Sequence, residues 1–150
     1  MRKIRQLVAG TAIVVTSIAV ADASPTAADH GIRVLATRLT GAAEFPGPGD
    51  PDGVGVAGVV VNVNRAKVCY VLAVKNIAPA TLAHIHVGAA GTAPPNNIVV
   101  HLTAPTGGFS ADCVSVDAQL ARDIASMPAQ YYVNVHNADF PAGAIRGQLG

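Results

Sequence analysis

Along residues 32–149 the chain alternates apolar and polar residues with a period of two, in short runs separated by Gly- and Pro-rich breaks. That alternation is the signature of half-buried strands. The first run, residues 32–39 (IRVLATRL), places Arg33 and Arg38 on opposite faces, which predicts a bulge or an edge position. Residues 41–53 (GAAEFPGPGDPDG) are too rich in Gly and Pro for a strand and read as a turn-filled connection. Residues 54–64 follow, with Val59, Val61 and Val63 on one face; residues 64–67 turn, and residues 68–75 return as a hairpin. After a loop through Pro79, residues 82–87 form a strand in which His84 and His86 share a face and Ile85 takes the other. Residues 98–102 (IVVHL) give one more short strand after the loop GAAGTAPPNN.

One helix is predicted, over residues 117–127. Asp117 caps it, Leu120, Ile124 and Met127 recur along one face, and Pro128 stops it. Residues 131–137 and 143–149 close the chain as a hairpin. For Val133 and Val135 to lie on the same side as Ile145 and Leu149, the residue numbers of facing pairs must sum to an even value. A five-residue loop then sets Asn134 opposite Arg146, Tyr132 opposite Gln148 and His136 opposite Ala144. The result is one polar face carrying Tyr132, Asn134, His136, Arg146 and Gln148, either a functional cluster or a face turned to water. Seven to eight short strands with a single helix predict an all-β fold, a Greek-key β-sandwich or barrel.

The N-terminus changes this picture by locating the protein. A basic start (MRKIR), an apolar run over residues 7–20 and small-residue sites after Ala21 or Ala23 define a signal peptide over residues 1–23. It is too short for a permanent span. Residues 24–31 form a flexible entry and residues 32–150 one domain. Cleavage removes Arg2, Lys3, Arg5 and Asp22 and leaves seven basic against eight acidic residues. With no basic stripe, no Trp, three Phe and three Tyr, nucleic acid is excluded as a partner. No span remains after cleavage, so the expected location is secreted or cell envelope. In that oxidising setting Cys69 and Cys113 are expected to pair, with two buried thiols as the alternative. A bridge would close a loop of about 44 residues and contribute roughly 3–4 kcal/mol.

Catalytic constellations are scarce. Glu44 is the one Glu in the chain, so a cross-cleft carboxylate pair must rely on Asp residues that sit at turns or on the helix. There is no GxSxG and no phosphate-cradling loop ahead of a helix. Histidine is the informative inventory. His84 and His86 project from one strand face about 7 Å apart, and His101 and His136 end two other short strands. Imidazoles in this arrangement suit copper or zinc, with His84, His86 and His136 as ligands and His101 as a fourth. The competing reading is a polar edge whose imidazoles bond loop carbonyls. Asp112 and Asp139 are candidate auxiliary ligands or loop caps. Glu44, after the first strand, and Arg146, in the last, predict an ion pair joining the ends of the fold, with Asn134 beside it.

Residues LTGAAEFP (39–46), CY (69–70), AHIHVG (83–88), YVNVHN (132–137) and FPAGAIRGQL (140–149) together resemble the CHRD domain, named for chordin and found also as stand-alone secreted bacterial proteins. The resemblance spans about residues 35–149. It implies a secreted β-sandwich module without a defined enzymatic activity, one that binds an extracellular protein or an envelope component. A weaker likeness is to copper–zinc superoxide dismutase, in which an HxH strand and a later His hold copper. The dismutase's long zinc-binding loop has no counterpart here, since only 14 residues separate His86 from His101. The sequence therefore supports two functions: a non-enzymatic binding module, or a copper- or zinc-binding protein with mild redox activity.

Overall fold

A computed structural model describes residues 31–150. The predicted leader and nearly all of the entry segment, including His30, lie outside the described residues. The strands are β1 (Ile32–Thr40), β2 (Val54–Asn62), β3 (Lys67–Lys75), β4 (Ala80–Val87), β5 (Ile98–Leu102), β6 (Phe109–Ser115), β7 (Tyr131–Asn137) and β8 (Ile145–Gln148). One α-helix, α1 (Ala118–Ser126), carries the chain from β6 to β7. All pairings are antiparallel, in the order β5-β4-β7-β8-β1-β2-β3-β6, a nearly closed barrel of eight strands. Near the open seam between β5 and β6, the Ser110 hydroxyl donates to the Thr103 carbonyl, and the Tyr70 hydroxyl accepts from the Thr103 N–H. No helix among the described residues is long and apolar enough to cross a membrane.

Inward-facing positions build an aliphatic core, as the scarcity of aromatic residues requires. Val59, Val61, Val68, Leu72, Ile85 and Val133 are completely buried in it. Asp117 caps α1 by accepting from the N–H groups of Gln119 and Leu120. The helix buries Ala121 and Ile124, with Leu120 packed partly against the core. Met127 lies beyond the last helical residue and is half exposed, so it is not part of the buried face.

Two further expectations need correction, and a third, the disulfide, holds. β6 has no counterpart among the predicted strands. The ladder between β1 and β2 runs nine residues without a bulge, so Arg33 and Arg38 are simply exposed side chains on either face. The irregularities fall in β4 instead, at Ile85/His86 against β5 and at Ala80/Leu82 against β7. Cys69 and Cys113 face each other across β3 and β6 and form the disulfide.

Candidate metal centre

The alternation of β4 sends Ala83 and Ile85 into the core and His84 and His86 to the barrel's outer face. The same alternation on β7 and β8 turns Tyr132, Asn134, His136, Arg146 and Gln148 to that face. The register of the last hairpin is the one parity requires, with Asn134 opposite Arg146 and Tyr132 opposite Gln148. Pairing of β4 with β7 then extends the rows: His101, His84, Asn134 and Arg146 cross four strands in line, and His86 sits beside Tyr132.

This outer face is not turned to water. His84, Asn134 and Arg146 are only 2–3% exposed, and His86 and His136 are also buried. Residues 88–97 fold over one side. Arg146 donates to the carbonyls of Thr92 (2.7 Å) and Ala89 (3.0 Å), and Gln148 to those of Gly88 and Ala129. Residues 41–50 and 138–144 close the other side. The Asp50 N–H donates to the Ala144 carbonyl, and Asn134 Nδ2 donates to both Glu44 oxygens at 2.8 and 2.9 Å. Gly143 lies against this contact at φ +152°, where a Cβ would strike Glu44 and Asn134.

Beneath these loops three imidazoles converge. One ring nitrogen from each of His84, His86 and His136 lies within 4.8 Å of the others. His84 Nδ1 and His136 Nε2 are 3.2 Å apart. Outer hydrogen bonds orient two of the rings. His136 Nδ1 is 3.0 Å from the Pro141 carbonyl, which can only accept, so Nδ1 carries the proton and Nε2 presents its lone pair. His86 Nδ1 donates to Asn97 Oδ1 at 2.9 Å, which likewise leaves Nε2 as a lone pair. Asn97 in turn donates to the Tyr132 hydroxyl at 2.7 Å. The Tyr132 ring stacks on His86 at 4.8 Å, and the Arg146 guanidinium lies 3.4 Å above the Tyr132 centroid on its way to the loop.

Burial sets the protonation of the cluster. It pushes the His84 pKa down to about 4, helped by the neighbouring imidazoles His136, His86 and His101. Burial also lowers His86, although its bond to Asn97 opposes the shift, and lowers His136 against its bond to Pro141. All three are neutral at physiological pH, the form in which imidazole is a metal ligand. Glu44 moves the other way: burial raises it to about 7, against the charge of Arg146 and the hydrogen bond from Asn134.

One nitrogen of the cluster is left unsatisfied. His86 Nε2 is buried with no hydrogen-bond partner. Buried polar atoms are rarely left this way, and a bound water or ion is the usual partner for one. Among the described residues, Asn134 Oδ1 is the other buried polar side-chain atom without a partner, and it lies on the same face. The outer bonds to Asn97 and Pro141 match the second-layer partners that fix ring tautomer and direction around bound metals.

His101 is exposed, with its ring centroid 5.0 Å from that of His84, beside the trio and not one of its mutually close members. Glu44 and Arg146 are drawn together without a direct bond, since Glu44 bonds Asn134 and Arg146 bonds loop carbonyls and Gln148. Asp112 accepts from the Cys113 N–H on β6, and Asp139 lies in the loop 138–144; neither joins the imidazoles. Sequence reading did not single out Asn97 or the Pro141 carbonyl. The only signal for Asn97 is its place immediately before a strand bearing one of the histidines. No curated protein and no solved structure matches the chain. The family profile described as the CHRD domain matches residues 35–149, nearly all of the described chain, and the protein belongs to that family.

Proposed function

We propose that the chain is a non-enzymatic binding module of the extracytoplasmic space whose ligand is a transition-metal ion, copper or zinc. His84, His86 and His136 are the ligands, and His101 is near enough to His84 to serve as a fourth. One observation carries the reading: a buried imidazole trio with two rings held by outer hydrogen bonds and the Nε2 of His86 left without a partner. When bound, the ion supplies either a redox couple (copper) or a Lewis acid (zinc). The chain's part is to hold three neutral nitrogen donors, to exclude bulk water with residues 88–97 and 138–144, and to keep protons on the outer nitrogens of His86 and His136. The disulfide, the leader read in the sequence and the family membership support a location outside the cytoplasm.

Elemental analysis of untagged protein tests this, with a His84→Ala variant beside it. Stoichiometric copper or zinc in the wild type, lost in the variant, is the expected result. Metal-free wild type that shows no thermal shift with either ion would sink the proposal and leave protein-partner binding as the function of the module.

A further inference from the structure

The other half of the barrel has the opposite character. On the outer face of β1, β2, β3 and β6, side chains form rows across the four strands. Val34 pairs with Val60, and Val60 with Cys69 of the disulfide. The next row is Ala36, Gly58, Val71 and Ala111. The row after it is Arg38, Val56, Ala73 and Phe109. Arg38 is the one charged residue in three rows. Among the described residues no loop covers this face: Val34 is 70% exposed, Phe109 63% and Val56 56%. Scattered exposed aliphatics are ordinary in a soluble domain, but a continuous four-stranded apolar face is not.

We infer that this face is a self-association surface on which a second copy of the chain packs sheet against sheet. The face is neutral at its centre and made mostly of β-branched and alanine side chains, a composition that suits sheet-against-sheet packing. It is also self-complementary. A two-fold axis along the strands, between β2 and β3, exchanges β1 with β6 and β2 with β3. Val71 of one copy then lies over Gly58 of the other, Val56 over Ala73, and the Arg38 guanidinium over the Phe109 ring. The two rim lysines of β3, Lys67 and Lys75, meet Asn62 and Val54 of the other copy, so like charges are not superposed.

The exposed Val, Phe and Ile32 side chains of this face (Ile32 at its rim, opposite Asn62) amount to roughly 400–500 Å² per copy, taking about 100–150 Å² for a whole aliphatic side chain and about 200 Å² for Phe. Two copies together hide roughly 800–1,000 Å², below the size of a permanent interface and in the range of weak, reversible dimers. The surface owes nothing to the histidines, which lie on β4 and β7 across the barrel.

Sedimentation equilibrium in chelator tests the inference on wild type, Val71→Lys, Met127→Lys and His86→Leu. Expected are a reversible wild-type dimer dissociating at about 10–100 μM, at least a tenfold weaker dimer for Val71→Lys, and no change for the other two. Met127 is exposed but off the face, and His86→Leu separates this surface from the metal reading. Wild type that stays monomeric to about 1 mM overturns the inference, and so does a Val71→Lys protein that dimerises normally. Monomer that instead binds anionic lipid vesicles, with binding lost in Val71→Lys, also overturns it and makes the face a lipid surface.

Discussion

Replacing His86 by Leu separates a ligand from a packing residue through the sign of its effect. In the metal-free protein the unpartnered Nε2 of His86 costs about 1–3 kcal/mol of desolvation, and removing it returns that energy. Against the gain stand the hydrogen bond to Asn97, about 1 kcal/mol, and the stack on Tyr132, about 0.5–1.5 kcal/mol. The two sides nearly cancel. Urea unfolding in chelator should therefore place His86→Leu within about 1 kcal/mol of wild type, a small effect for a buried ring. Metal reverses the order. Free ion at 100 times its Kd stabilises wild type by about 2.7 kcal/mol, roughly 10 °C in Tm for a domain of this size, and the variant gains nothing. Parallel scans with and without copper or zinc should show the curves crossing. If the variant loses more than about 3 kcal/mol in chelator and metal shifts neither protein, His86 is a packing residue and the reasoning fails.

Two further predictions concern the charges around the site. The three imidazoles stay neutral in the folded state, His84 down to about pH 4, whereas in the unfolded chain they titrate near 6.5. Their stabilisation is complete above pH 6.5 and is lost as pH falls toward 4, because the unfolded state takes up more protons there. Glu44 opposes them: with its pKa raised from 4.5 to about 7, its contribution is complete below pH 4.5 and is lost as pH rises through 7. Glu44→Gln should therefore gain about 2 kcal/mol over wild type between pH 5 and pH 8, a figure reduced for the residue's partial exposure; parallel stability curves would refute the assignment. Arg146→Met removes the guanidinium that holds residues 89 and 92 and balances Glu44. It should cost about 3 kcal/mol and speed amide exchange across residues 88–97, and unchanged stability would count against this account.

How far the sequence could be read follows from which forces are local. Parity fixed the register of β7 against β8 because both strands and their loop lie within twenty residues. The ladder of β4 with β7 joins segments about fifty residues apart, so nothing in AHIHVG alone brought His136 to His84. The face's burial was equally illegible: alternation says which side chains point outward, not whether loops cover them. β6 escaped notice because its alternation is inverted. Phe109, Ala111 and Cys113 point outward and are exposed, whereas Ser110 takes the inner side and is buried. An apolar outer face reads as a strand in the wrong phase, or as no strand. Glu44 and Arg146, which the sequence placed in an ion pair, interact through Asn134, whose amide bonds both carboxylate oxygens.

The loop over the histidines is fastened almost wholly by its main chain. Arg146 and Gln148 grip the carbonyls of Gly88, Ala89 and Thr92, and a carbonyl is the same group on every residue. The cover is thus specified by where its peptide groups fall. Substitutions at Ala89, Ala90, Ala93 or Pro95 should be silent for closure, whereas inserting or deleting one residue between 88 and 92 would misplace an acceptor and unlatch it. Apart from Asn97, whose side chain holds His86 and Tyr132, and the positive-φ glycines Gly88 and Gly91, the strap is a spacer constrained in length more than in composition, so its outer surface can change without disturbing the donors beneath.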